Sequence, residues 1–211
     1  MVDFSSITRA LMAGKADEVK NLVSSALAEN TDPALLINEA LIPGMSIIGE
    51  RFRKNEIYIP EVLIAARAMH AGLDILRPKL VEHKVEPVAT IVLGTVKGDL
   101  HDIGKNLVGM MFEGAGFQVV DLGVDVAPEK YVASVRESNA QFLGLSALLT
   151  TTMPQMQSTI SALEVDGIRE QVKVLIGGAP VTQDYADKIG ADGYSEDAAS
   201  AVVLAKELLG A

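Results

Sequence analysis

The residues best suited to chemistry fall in three short stretches of the C-terminal half. The first, Gly94-Thr95-Val96-Lys97-Gly98-Asp99-Leu100-His101-Asp102-Ile103-Gly104-Lys105-Asn106, sets His101 two residues beyond Asp99 and carries three glycines. As a connection from strand to helix it is far longer than such turns require. The second, Leu145-Ser146-Ala147-Leu148-Leu149-Thr150-Thr151-Thr152, is rich in hydroxyls where a structural turn would prefer Gly, Asn or Pro, and hydroxyls can hydrogen-bond a ligand. The third, Gly177-Gly178-Ala179-Pro180, strips away side-chain bulk and lets something approach the backbone closely. Singly, each has an ordinary reading, since a loop histidine is often structural or solvated and a Gly-Gly pair is usually a turn. Together they describe a deep slot.

The elements that must position these loops are legible in the hydrophobic pattern. Ala89 to Leu93, Gln118 to Leu122, Phe142 to Leu145 and Val172 to Ile176 are short apolar, β-branched runs, each followed by a helical segment, as buried parallel strands are. A weaker fifth strand around Gly193-Tyr194 precedes a last helix from about Asp197 to Leu209. Five βα units predict an open, doubly wound, flavodoxin-like (Rossmann-like) parallel sheet, in which ligands bind at the carboxyl ends of the strands.

Up to about Glu86 the patterns are helical. Ile7, Ala10 and Leu11 share a face of a helix that Gly14 stops; Ala16 to Glu29 aligns Val19, Leu22, Val23, Ala26 and Leu27; Asp32-Pro33 supplies an N-cap and an N1 proline for a third helix. Pro43-Gly44 is expected to kink or end that helix, with Met45 to Phe52 resuming. After the polar break Arg53 to Glu56, Ile59-Pro60 opens a fourth helix running to about Leu80. Short joints between four helices predict a four-helix bundle over residues 1–87, and the polar segment Glu82 to Pro87 marks the boundary with a Rossmann-like domain over residues 88–211.

Composition narrows the function. A net charge of -10 repels phosphate backbones and argues against a nucleic-acid partner. The absence of cysteine removes disulfides, thiolate metal sites and cysteine nucleophiles, and suits a reducing interior. Met1 is followed by Val-Asp-Phe-Ser-Ser without a charged start or apolar run, and no segment is apolar enough for a membrane span, so the expected location is the cytoplasm.

The combined spacing is specific: Asp99-x-His101-x-x-Gly104, then 41 residues, then Ser146-x-Leu148, then 28 residues, then Gly177-Gly178. It resembles the fingerprint of the cobalamin-binding domain that holds its cofactor base-off. Gly49-Glu50-Arg51-Phe52 through Ile59-Pro60-Glu61-Val62, followed by Ala65-Ala66-Arg67-Ala68-Met69, resembles the helical cap that precedes this domain in methionine synthase. Cap plus cobalamin domain over nearly the whole chain resembles the corrinoid proteins of methanol, methylamine and aryl-ether methyltransferase systems.

The resemblance implies His101 as cobalt ligand, displacing the cofactor's benzimidazole, with Asp99 on its other nitrogen and Thr152 where the family places a serine relay. It implies Gly98, Leu100, Asp102, Ile103, Gly104, Ser146, Leu148, Thr150, Gly177 and Gly178 around the cofactor, with Ser146 near the detached base and the glycines providing room. Phe52 and Ile59, with Met45 and Val62, would cover the reactive face from the cap, although bundle core is an equal reading of those four. The implied function is a methyl carrier: Co(I) accepts a methyl group from a substrate-specific methyltransferase and passes it on, as methyl-Co(III), to a second one with a thiol or folate acceptor. A reductive activating protein would rescue oxidised cobalt, and the chain alone would turn over nothing. Alternatives are the small subunit of an adenosylcobalamin enzyme, which generally lacks this cap, a cobalamin-dependent sensor, which carries an added DNA-binding domain, and a metal-free flavodoxin-like module. His70, His83, Lys105 and Asp102 read as structural, solvated or helix-start residues, and Glu50, Arg51 and Glu56 as a solvated face.

Overall fold

The structure, a computed structural model, describes residues 3–83 and 86–210, excluding the side chains of residues 81–83. The side chain of His83 and part of the expected linker therefore lie outside the described residues. Two compact units result, Met1–Pro87 with Gly114–Gly116, and Val88–Glu113 with Phe117–Ala211.

In the first unit, α1 (Phe4–Met12) buries Ile7, Ala10 and Leu11, and α2 (Ala16–Ala28) buries Val19, Val23 and Ala26. Asp32 caps α3 (Pro33–Leu36), its carboxylate accepting the Ala34 N–H at 2.9 Å. Of the kink or end expected at Pro43-Gly44, the end does not occur. The chain passes from α3 through a π-helical turn, Ile37–Leu41, directly into α4 (Ile42–Arg53). Pro43 lacks an N–H and would clash with the carbonyl four residues back; the wider turn just before it relieves both demands and lets the helix run on. Gly44 is there for closeness: a Cβ at that position would lie 3.0 Å from Leu11 Cδ2. α5 (Ile59–His83) completes the bundle, packing mainly on α2. None of these described helices is long and apolar enough to cross a membrane.

The second unit is a five-stranded parallel sheet of order β2-β1-β3-β4-β5. The strands are β1 (Thr90–Thr95), β2 (Gln118–Asp121), β3 (Phe142–Ser146), β4 (Lys173–Gly177) and β5 (Gly193–Tyr194). Between and after them run α6 (Ile103–Gly114), α7 (Pro128–Ser138), α8 (Pro154–Val165), α9 (Gln183–Ile189) and α10 (Ala198–Leu209). Every residue of β1 is buried, the polar Thr90 and Thr95 at its ends included, as expected of a central strand in a doubly wound sheet. Strand order reverses between β1 and β3, where doubly wound sheets open a crevice. Thr95, Ser146 and Gly177 are register partners across β1, β3 and β4, so the three chemistry-bearing loops leave the sheet side by side.

The first of those loops is shorter than its sequence suggests. Gly94 and Thr95 belong to β1 and Ile103 to Asn106 to α6, leaving only residues 96–102 as connection. Gly94 is a packing glycine, since a Cβ there would meet the Tyr131 hydroxyl at 2.5 Å.

Candidate functional site

Asp99 organises the site. Its carboxylate is fully buried and accepts five hydrogen bonds. Oδ1 takes the His101 backbone N–H at 3.1 Å and faces His101 Nδ1 at 2.6 Å. Oδ2 takes the Leu148 and Leu149 N–H groups at 2.8 and 3.2 Å and the Thr152 hydroxyl at 2.8 Å. Burial by itself would raise the Asp99 pKa, but the bonds from His101, Leu148 and Thr152 outweigh it and hold the carboxyl far below the usual carboxylate range. An ionised carboxylate only accepts, so His101 Nδ1 must carry the proton, and in the neutral ring Nε2 is then left with a free lone pair. The His101 side chain is 51% exposed, so this donor is accessible from outside. Among the described residues no group of three or more His, Asp or Glu could hold a metal by itself.

Thr152 fixes the far side. Its Oγ1 lies 2.8 Å from Asp99 Oδ2 and 2.9 Å from the Leu149 carbonyl, and its single proton serves Asp99 or that carbonyl. His101, Asp99, Thr152 and Leu148, spread over more than fifty residues, are thus bonded into one chain across the β1–β3 crevice. Around them Leu100, Ile103, Leu148 and Leu149 are exposed at 71%, 75%, 43% and 42%, an apolar surface at the mouth of the crevice. Gly104 opens onto free space, with no atom within 4 Å of where its Cβ would stand.

The remaining expected residues divide by role. Asp102 starts α6, its carbonyl accepting the Asn106 N–H at 2.7 Å and its carboxylate accepting the Asn106 side-chain amide at 3.1 Å. Ser146 is half-buried and its carbonyl accepts the Val96 N–H at 3.0 Å; Thr150 is exposed. Gly98 has a left-handed φ of +82°. Gly177 would set a Cβ 3.4 Å from the Ser195 carbonyl, whereas a Cβ on Gly178 would stand 1.9 Å from the Ala147 carbonyl oxygen. Gly178 is thus demanded by the fold before any ligand is considered. In the helical unit, Ile59 is exposed and Phe52 half-buried, while Met45 and Val62 are buried.

Three contributors escaped the sequence reading. Thr95 is fully buried and donates its hydroxyl to the His101 carbonyl at 2.8 Å, tying the histidine's backbone to the end of β1. Asp125 reaches in from the loop after β2 to accept the Gly98 N–H at 2.7 Å. Lys105 stands in the first turn of α6, as expected of a helix-start residue, but its burial was unforeseen: it is 3% exposed, pairs with the Asp121 carboxylate and donates to Asn106 Oδ1 at 2.7 Å. Nothing in the local pattern signals this, because the partner comes from the neighbouring strand. Asp121→Ala should cost about 2 kcal/mol in a urea melt, less than for a fully buried pair because Asp121 is itself 44% exposed. Lys105→Met, which removes the buried charge with its need for a partner, should cost less; equal losses would mean that the ammonium is not held by Asp121.

The parallel sheet with a His-Asp pair at its switch-point crevice defines a Rossmann-like protein with a candidate ligand site at the carboxyl ends of its strands. Residues 89–203 match a family model described as B12 binding domain, and residues 4–77 match a second model of the same description, so the chain belongs to the B12-binding proteins. Over 201 residues, 95% of this chain and 94% of the other, it is 46% identical to dimethylamine corrinoid protein 1 of Methanosarcina acetivorans. Among solved structures it is similar to a cobalamin-binding protein from Desulfitobacterium hafniense, at 36% identity, TM-score 0.79 and 98% coverage of both chains. It is also similar to a chain of the methanol:cobalamin methyltransferase complex from Methanosarcina barkeri, at 31% identity and TM-score 0.87, covering 98% of this chain and 79% of that one.

Proposed function

We propose that this chain is the corrinoid methyl carrier of a methyltransferase system and that its cofactor sits base-off on His101. When bound, the corrinoid supplies a cobalt centre able to take up and give up a methyl group. The protein's own contribution is to hold and tune. His101 offers Nε2 to the metal, and Asp99 holds the proton on Nδ1 and with it the ring's orientation. Thr152 and the Leu148 and Leu149 amides keep that carboxylate ionised and still. Leu100, Ile103, Leu148 and Leu149 keep water from the ring's edge, and the space at Gly104, with Ser146 and Gly177 on the neighbouring strand ends, receives the detached nucleotide tail.

The single observation that carries this reading is the 2.6 Å contact from Asp99 to Nδ1 of a half-exposed histidine, which leaves the other ring nitrogen as a directed donor. The partners are a substrate-specific methyltransferase that loads the carrier, a second methyltransferase that unloads it to a thiol or tetrahydrofolate, and a reductive activating protein, all in the cytoplasm. The related methylamine and methanol proteins make a small methylated amine or alcohol the expected methyl source.

Loading the purified chain with hydroxocobalamin, desalting and reducing to the paramagnetic cobalt state tests the ligation. With heavy-nitrogen labelled protein, electron paramagnetic resonance should show the doublet splitting of one protein nitrogen, and His101→Ala should lose it while keeping its fold. A persistent triplet from unlabelled nitrogen would mean that the cofactor keeps its own base, and the assignment of His101 would fall.

A further inference from the structure

The loop after β2 runs beside the exit of β1 as if the sheet continued. Thr95 N–H donates to the Gly123 carbonyl at 2.9 Å, Val126 N–H donates to the Thr95 carbonyl at 3.0 Å, and Val96 and Val126 form a parallel bridge. Asp125 is brought by this register against Gly98-Asp99 and grips that dipeptide at both ends. Its carboxylate accepts the Gly98 N–H at 2.7 Å, and its own N–H donates to the Asp99 carbonyl at 3.0 Å. The grip requires an unusual backbone, for Asp125 has φ +54° and Gly98 has φ +82°. Non-glycine residues seldom adopt a left-handed φ, and Asp and Asn tolerate it best.

We infer that Asp125 is a positioning residue for the cobalt ligand, acting through Asp99. This rests on the proposed ligation by His101. The Asp99 carboxylate must meet two loop amides, a hydroxyl and an imidazole at once, so its backbone cannot slide without loosening the ring proton. The Gly98-Asp99 segment lies beyond the last β1 residue, tied back by the Asp99 N–H on the Val96 carbonyl at 3.1 Å; Asp125 adds a restraint from the neighbouring loop at both ends of the dipeptide. The side-chain acceptor and the left-handed backbone are separate demands, and substitutions can separate them. Asparagine keeps both. Glycine keeps the backbone and loses the acceptor.

Asp125→Gly should weaken retention of hydroxocobalamin roughly tenfold or more, the range that outer partners of a ligating histidine produce, while Asp125→Asn stays within about twofold of the unmodified chain. In the cofactor-free protein, nuclear magnetic resonance should show a slowly exchanging His101 Nδ1 proton in the unmodified chain and in Asp125→Asn. Asp125→Gly should lose that proton while its strand amides stay protected, which separates loss of positioning from loss of fold. Unchanged retention and an unchanged His101 proton in Asp125→Gly would overturn the inference; so would a general loss of strand protection, because Asp125 would then be holding the fold and not the ligand. Should the unmodified chain show no protein nitrogen on cobalt, the reading of His101 as ligand fails by itself, and the resonance of the cofactor-free protein still decides whether Asp125 positions the pair.

Discussion

Asp99→Ala should destabilise the Rossmann-like unit by about 3–5 kcal/mol, since it removes a buried acceptor on which several donors converge and orphaned buried donors cost about 1–3 kcal/mol each before relaxation. The orphans are the N–H groups of His101, Leu148 and Leu149; the Thr152 hydroxyl keeps the Leu149 carbonyl as an acceptor at 2.9 Å. Asp99→Asn should recover only part of the loss, because one amide oxygen cannot serve both sides and its NH2 group must face donors. The loss should also depend on pH. The folded-state pKa of Asp99 lies below its unfolded value, so its contribution is fully present above the unfolded value and falls away as pH drops toward the folded one. Urea-melt stabilities of Asp99→Ala and the unmodified chain should therefore differ most near neutrality and converge below about pH 4, the ordinary carboxylate range. A gap that stayed constant down to strong acid would show that Asp99 is not ionised in its network.

Gly178→Ala should be the most damaging single-methyl change in the sheet unit. The added Cβ would stand 1.9 Å from the Ala147 carbonyl oxygen, on a residue with φ +131°, a conformation nearly closed to side-chain-bearing residues. We expect a loss of at least about 4 kcal/mol and poor soluble yield. Gly104→Ala makes the contrast. With nothing within 4 Å and a place in the first turn of α6, it should leave the fold intact or stabilise it by up to about 1 kcal/mol, while intruding on the proposed cofactor space. Measured side by side by thermal melting and by hydroxocobalamin retention, Gly178→Ala should lose stability and Gly104→Ala retention. If Gly178→Ala melts like the unmodified chain, the close approach to Ala147 is not real.

Much was legible in the sequence alone because it depended on local pattern. Period and β-branching located β1 to β5 and the helices of the first unit, and Asp32-Pro33 announced its own capped start. The pairing of Asp99 with His101 came from the family resemblance, and the 2.6 Å contact between them is what the fold adds. Thr152 was found through family resemblance, and its bond to Asp99 is what the fold adds. What local pattern could not decide was everything set by a neighbour distant in the chain. Pro43 looked like a kink or an end because the π turn that absorbs it has no composition signal. Lys105 read only as a helix-start residue, and its burial went unseen because its carboxylate partner lies on β2, sixteen residues on. Gly178 looked like room for a ligand, but a carbonyl from the β3 loop already occupies that room. Local sequence determines which elements form and which residue types meet within a turn; the sheet's register, which places Thr95, Ser146 and Gly177 abreast, decides which loops touch, and the touching of loops made the site.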